Sequence, residues 1–244
     1  MLALRTFRAL GAIDTGSVVA DPMLRWMAVI PLMVALAVRG LLPLAVARVG
    51  ELAGVDLSWL VAPMSAYTVV GIAPLIAGSV VGFLLLDQRD DRTLLALRVT
   101  PLPLGAYVAY RLAAPTAAAF LVTLAALALA GGLGLGPGAA ALAALASAPL
   151  APLAAVALAA FARNKVEGMA LMKAASLVLM APLAAIFLGP GWALALAALP
   201  TTWVARAVWA LQGGAAAWPH IAGAWALSAL LVAALLWRLQ RSLQ

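Results

Sequence analysis

Runs of about 20 apolar residues recur along this chain, and no other feature constrains its fold as strongly. Wound as a helix at 1.5 Å per residue, such a run crosses a hydrocarbon layer about 30 Å thick. In lipid every backbone polar group needs an internal partner, which leaves helices and closed barrels as the only spanning structures. The runs do not alternate apolar with polar residues, which argues against a barrel. Of 244 residues, 67% are hydrophobic and only 9% charged, whereas a water-soluble domain carries about 25% charged residues. The chain therefore reads as an all-α integral membrane protein, a single domain over residues 1–244.

Six crossings are expected, at about 23–44, 60–86, 104–130, 139–161, 169–188 and 218–237. Residues 1–20 read as an amphipathic helix lying in the interface. At 100° per residue Leu4, Phe7, Leu10 and Ile13 sweep one side and Arg5 and Arg8 the other, with a stop at Asp14–Ser17. The first twenty residues hold no continuous apolar core before a cleavage site, so the first span is expected to act as its own uncleaved signal. Residues 45–59, with Arg48, Glu51 and Asp56, read as an outer loop. Gly78-Ser79-Val80-Val81-Gly82 gives a G-x-x-x-G that lets two helices approach closely. Pro149 and Pro152 predict a kink in the fourth span, and Pro182 one in the fifth. Residues 192–211, interrupted by Pro200 and Arg206, read as a broken helix dipping into the outer interface before the last span, anchored by Trp192, Trp203 and Trp209.

The densest charge cluster lies between the second and third spans: Asp87, Gln88, Arg89, Asp90, Asp91 and Arg92. Thr93–Val99 reads as a short surface helix, broken by Thr100-Pro101-Leu102-Pro103, and Tyr107 and Tyr110 fit an interfacial aromatic belt. A second small charged turn, Arg163-Asn164-Lys165-Val166-Glu167-Gly168, follows the fourth span. With six spans the termini and both turns share one side. That side holds Arg5, Arg8, Arg25, Arg89, Arg92, Arg98, Arg111, Arg163, Lys165, Lys173, Arg238 and Arg241; the other holds Arg39, Arg48 and Arg206. Cationic residues accumulate on the cytoplasmic side, so both termini and both turns are expected there. The same rule accounts for the net charge of +7 without a nucleic-acid partner.

The chemistry open to the chain is narrow. It has one histidine, His220, and no cysteine, which removes a histidine or thiolate metal site and a nucleophile–base pair. The Gly131–Gly138 turn looks like a phosphate loop, but no Gly-Lys-Ser/Thr follows it or occurs elsewhere. All eight acidic residues sit at span ends or in loops, against ion-coupled transport, which wants midplane acids. If the chain moves a compound, the energy arrives from another subunit. Arg111, about 10 Å inside its span, is a candidate for a substrate path as well as a residue that snorkels back to the interface. Met64, Ser65, Tyr67, Thr68, Met172, Ser176 and Met180 are further path candidates, each more readily read as helix packing. A membrane enzyme acting on lipid headgroups through a divalent ion at Asp87, Asp90 and Asp91 stays open, as does a non-transporting assembly protein.

Four stretches carry a family resemblance: RALGAIDTGSVVADPMLRWMAVIPL at residues 8–32, GFLLLDQRDDRTLLALRVTPLPLGAYVAYRL at 82–112, FARNKVEGMALMKAASLVLMAPL at 161–183 and LPTTWVARAVW at 199–209. In them the chain resembles permease subunits of type-2 ABC exporters, in the fluoroquinolone export permease-like subfamily. The charged turn followed by Thr-Leu-x-Ala-Leu, Thr-Pro-Leu and a tyrosine is the most specific match. The resemblance implies an ATP-driven exporter of an apolar or amphipathic compound in a prokaryotic inner membrane, working by alternating access. It implies two permeases, identical or paralogous, paired and served by two cytoplasmic ATPase subunits. The chain itself would be no enzyme and hold no cofactor; ATP and Mg would be bound by the ATPase. The contacts for that subunit would be Asp87, Gln88, Arg89, Asp90, Asp91, Arg92, Thr93, Leu94, Thr100 and Pro101, with Arg163, Asn164, Lys165 and Glu167 as a second set. This chain departs from the family at Gln88, where an acid is common.

Overall fold

The computed structural model describes residues 2–91, 104–185, 187 and 191–242, with only the backbone for residues 2–6, 104, 193, 194 and 242. Among them the chain forms α1 (Leu2–Ala20), α2 (Pro22–Ala53), a 3-10 turn (Ser58–Leu60), α3 (Val61–Asp90), α4 (Leu104–Leu129), α5 (Pro137–Ser147), α6 (Leu150–Phe161), α7 (Lys165–Ala184), α8 (Gly191–Leu196), α9 (Pro200–Gln212) and α10 (Trp218–Ser242). Among the described residues six units are long and apolar enough to cross a membrane: α2, α3 with its preceding turn, α4, the α5–α6 pair, α7 and α10.

The apolar stretch of α3 is 72% buried and that of α5–α6 67%, whereas those of α2, α7 and α10 are 22% buried. α3 and α5–α6 therefore form the centre, and the other spans turn most of their surface outward. Lipid tails are as apolar as leucine, so helices here associate through close packing rather than escape from water. Glycines on one face of α3 supply that closeness. A Cβ at Gly78 would fall on the backbone of Ala151, and one at Gly82 would stand 2.7 Å from Leu158 Cδ1. The G-x-x-x-G pair is thus the seam between α3 and the α5–α6 unit. Around it Tyr67, Phe83, Leu86 and Leu127 are fully buried.

Helix ends differ from the sequence expectation where caps or distant partners decide them. α1 does not stop at Asp14–Ser17. Thr15 and Ser17 return their hydroxyls to the Gly11 and Ile13 carbonyls at 2.8 and 3.1 Å, and the helix runs on to Ala20. It docks through Phe7, Leu10, Gly11, Asp14 and Val18, while Ile13 is exposed. One residue, Asp21, separates α1 from α2; its Oδ1 accepts from the N–H of Met23 at 2.8 Å and of Leu24 at 3.3 Å. With Pro22 next, this is a strong helix start. The loop between the first two spans is shorter than the expected 45–59. Ala45–Ala53 continues α2, Arg48 and Glu51 pair at 2.8 Å one turn apart, and Gly54 at φ 67° ends the helix. Asp87–Asp90 form the last turn of α3 rather than a loop beyond it. The fourth span breaks between Ser147 and Leu150, before Pro152. Residues 191–212 form two short helices, neither long enough to cross, with Pro200 opening the second.

Candidate functional site

The last turn of α3 presents Asp87 and Gln88 as consecutive residues, so their side chains leave the helix about 100° apart. Each is gripped by a different set of neighbours.

On one side lies a buried polar cluster. Arg111, in the second turn of α4, is only 7% exposed along its side chain; its Nη1 meets Asp14 Oδ2 of α1 at 2.8 Å. Its Nη2 donates to Gln88 Oε1 at 2.9 Å. Tyr107 Oη donates to the same Gln88 oxygen at 3.0 Å, and Tyr110 Oη donates to Asp14 Oδ2 at 2.7 Å. The guanidinium also stands 5.1 and 5.5 Å from the ring centroids of Tyr107 and Tyr110, close enough for cation–π attraction. Phe7 of α1 packs edge-on against Tyr110, centroids 5.3 Å apart. Moving an isolated charge out of water costs several kcal/mol; here Arg111 finds an anion, an amide oxygen and two aromatic faces. Gln88 works as a double acceptor, a role its carbonyl fills as an acid would. The cluster locks α1, the end of α3 and the start of α4 together.

On the other side lies Lys165, the first residue of α7. Its Nζ meets Asp21 Oδ2 at 2.7 Å and Asp87 Oδ1 at 3.0 Å. One cation thus ties the α1–α2 joint, the end of α3 and the start of α7. The hydrogen bond from Lys165, supported by the N–H groups of Met23 and Leu24, holds the Asp21 carboxyl below its ordinary range against the opposing effect of burial. Asn164 caps α7, its Oδ1 accepting from Glu167 N at 3.0 Å, and Glu167 Oε2 accepts from Arg163 N at 2.8 Å. The first of these bonds is that of a capping box, and the second reaches one residue further out than the box requires. Arg89, Asp90, Asp91 and Arg163 are exposed at the same end. The expected contacts Arg92, Thr93, Leu94, Thr100 and Pro101, and with them the surface helix expected at Thr93–Val99, lie outside the described residues.

The path candidates scatter. Arg111 belongs to the cluster above. Tyr67 is fully buried and donates to Leu179 O of α7 at 2.8 Å. Met64 and Thr68 are half-buried and Ser65 is buried. Met172 lines a cavity of about 320 Å³ between α3, α6, α7 and α9. Ser176 is exposed, its hydroxyl bonded to Lys173 O at 2.6 Å, and Met180 is exposed. Sequence reasoning misses Asp14, Asp21, Tyr107 and Tyr110 as members of the site. The one signal is the opposite charge of Asp14 and Arg111, the latter set among apolar residues of its span.

At the opposite end of the bundle, Arg39 Nη1 donates to Leu129 O at 3.1 Å. Gln212 Nε2 donates to Ala62 O at 3.0 Å and Leu133 O at 3.1 Å, and Trp209 Nε1 to Pro63 O at 3.3 Å. The α9 helix and the glycine-rich turn are thereby tied to the start of α3.

A model of the family described as "Fluoroquinolones export permease protein Rv2686c-like" matches residues 14–236. Two curated relatives from Mycobacterium tuberculosis are similar to the chain: fluoroquinolones export permease protein Rv2686c of strain H37Rv and fluoroquinolones export permease protein MT2760 of strain CDC 1551 / Oshkosh. Each is 28% identical over 221 residues, covering 90% of this chain and 88% of the relative. No solved structure matches.

Proposed function

The chain belongs to the Rv2686c-like family of fluoroquinolone export permeases, and we propose that it is the membrane subunit of an ATP-driven ABC exporter, coupled at the end where its two charged turns meet. The cargo is an apolar or amphipathic compound carried out by alternating access. A second permease chain completes the pathway, two ATPase subunits bind and hydrolyse ATP with Mg, and the charged end with both termini faces the cytoplasm of a prokaryotic cell.

The observation that carries this reading is Lys165 Nζ held between Asp21 and Asp87. It joins the second charged turn to the first, so a partner bound there grips three spans at once. Asp90, Asp91 and Arg163 stand exposed beside it, within reach of that partner. Two findings favour a receiver of motion over a headgroup enzyme. Asp87 is engaged by Lys165 instead of converging with Asp90 and Asp91, and Gln88 is committed to Arg111 and Tyr107. Shifting an alternating-access equilibrium from 1:99 to 99:1 takes about 5.5 kcal/mol of differential binding, which a docked ATPase can supply.

The test is charge reversal at the exposed pair. Asp90→Lys/Asp91→Lys should insert and melt like the parent in proteoliposomes, yet lose co-purification with the ATPase subunit and ATP-dependent export of a fluoroquinolone. Undiminished export and complex formation would remove the coupling role from this turn.

A further inference from the structure

Pro182 stands inside α7, two residues before its end. Proline has no N–H, and its ring crowds the carbonyl four residues earlier, so Val178 loses its helical donor. Within a bilayer such a carbonyl is re-satisfied by neighbouring helices or hydroxyls. Here α9 supplies a hydroxyl to that carbonyl, and α3 adds one to its neighbour. Thr201 Oγ1, in the first turn of α9, donates to Val178 O at 3.4 Å. Tyr67 Oη of α3 donates to the next carbonyl, Leu179 O, at 2.8 Å. One turn along α3 from Tyr67, Gly71 receives the Leu179 side chain so closely that a Cβ there would stand 2.6 Å from Leu179 Cδ1. The outer part of α7 is therefore pinned by two buried hydroxyls and a glycine notch.

Between its two ends α7 stands away from α6. A cavity of about 320 Å³ parts it from α6, with Leu153 and Ala157 on one wall and Met172 and Ala175 on the other. Its charged end, about 17 positions before Pro182 and thus about 25 Å away, is held by Lys165 to Asp21 and Asp87. The three side chains are between 25% and 34% exposed, so water screens both ion pairs, and three residues on, Gly168 packs against Phe83 and Leu86 of α3. The helix is fixed near its proline by hydroxyl bonds to its backbone, at the far end by ion pairs and by the packing of Gly168 on Phe83 and Leu86 of α3, and between them it has space on the side of α6.

We infer that Tyr67 and Thr201 are positioning residues for transport. Their hydroxyls form the fulcrum about which α7 swings when the Arg163–Glu167 end is displaced. This rests on the reading of the chain as a permease driven at its charged end. Tyr67 acts through the Leu179 carbonyl and touches no cargo. The cavity beside α7 is the room the swing requires.

The chain contains no cysteine, so reporter pairs can be placed without background. Spin labels at Val166→Cys, on the charged end of α7, and Ala234→Cys, on α10, report the swing by pulsed electron resonance on the full chain in nanodiscs. Thr201→Val and Tyr67→Phe should each broaden the label-to-label distance distribution. Tyr67→Phe should also lower the ATP-dependent export rate roughly fivefold, the equivalent of one ordinary hydrogen bond, and Thr201→Val, whose bond is longer, by less, each with KM unchanged. In a Pro182→Ala background the restored N–H serves Val178, so Thr201→Val should no longer broaden the distribution. Distributions of parental width in both single variants, or a Thr201→Val effect undiminished by Pro182→Ala, overturn the fulcrum. Should Tyr67→Phe fail to fold, the Thr201–Pro182 cycle decides alone. Absence of export by the parent complex would count against the permease reading, while the distance measurement, which needs neither cargo nor ATPase, still decides the fulcrum.

Discussion

Replacing Arg111 with methionine isolates the energetics of the buried cluster. The change keeps a long apolar stem and removes the charge, leaving Asp14 with Tyr110 Oη as its remaining side-chain donor. Breaking a buried ion pair by deleting one partner costs about 3–5 kcal/mol. Asp14 is 15% exposed along its side chain and keeps that tyrosine bond, so the low end, about 3 kcal/mol, is expected. For a chain of this length each kcal/mol moves the melting temperature by about 2–4 °C, so Arg111→Met should melt about 6–12 °C below the parent. The eight tryptophans give an intrinsic fluorescence readout in nanodiscs. Asp14→Leu/Arg111→Met, which removes both charges, should recover most of the loss, because an apolar pair of similar volume often replaces a buried ion pair at little cost. Arg111→Lys should fall between, since a single ammonium cannot reproduce the fork that reaches Asp14 and Gln88 together. A loss under about 1 kcal/mol for Arg111→Met, or a double variant as unstable as the two single variants summed, would refute the reasoning.

Contacts elsewhere in the bundle set two more outcomes. Gly78→Ala drives a methyl group onto the Ala151 backbone, which cannot move aside like a flexible side chain. Overpacking of about 1–3 kcal/mol or more is expected, read as lost folded yield in detergent, whereas Gly105→Ala, with nothing within 4 Å, should be neutral or slightly stabilising. Asp21 is held below its ordinary value, so its pairing contributes stability that is complete above the unfolded value near about 4 and lost as pH falls through the folded one. Melting measured from about pH 7 to about pH 3 should therefore drop less for Asp21→Asn than for the parent, from a start lower by about 1 kcal/mol or less; parallel curves contradict the pairing.

The spans were legible because a hydrocarbon layer demands about 20 apolar residues whatever the tertiary structure, and the break near Pro149 and Pro152 because a missing N–H acts locally. Helix ends were not legible in the same way. Arg48 and Glu51 read as loop chemistry, yet they pair across one turn of a continuing helix, and it is the left-handed Gly54 that stops it. Asp14 and Thr15 read as a stop, yet Asp14 turns inward to a residue 97 positions away. Composition shows that a charge is present; only the fold shows what answers it. Arg111 illustrates the point most clearly: an intramembrane cation is a functional candidate by default, and the two roles left open for it, lining a path or snorkelling to water, both assumed that no partner lay within reach.

The position of Asp87 and Gln88 explains why a cluster so rich in charge stays helical and what that does for coupling. Exposed charged residues at a helix end would ordinarily fray, since nothing orders their side chains. Here Gln88 is fixed to α4, and through Arg111 to α1, while Asp87 is fixed to α7 through Lys165. The last turn of α3 therefore cannot unwind or rotate without disturbing bonds on both flanks. The two flanks are not equal. The Gln88–Arg111–Asp14 side is buried and costly to break, whereas the Asp87–Lys165–Asp21 side is partly exposed and weak. A force applied at Asp90 and Asp91 would carry α1, α3 and α4 as one body and yield first at the partly exposed ion pairs of Lys165, at the opposite end of α7 from Pro182.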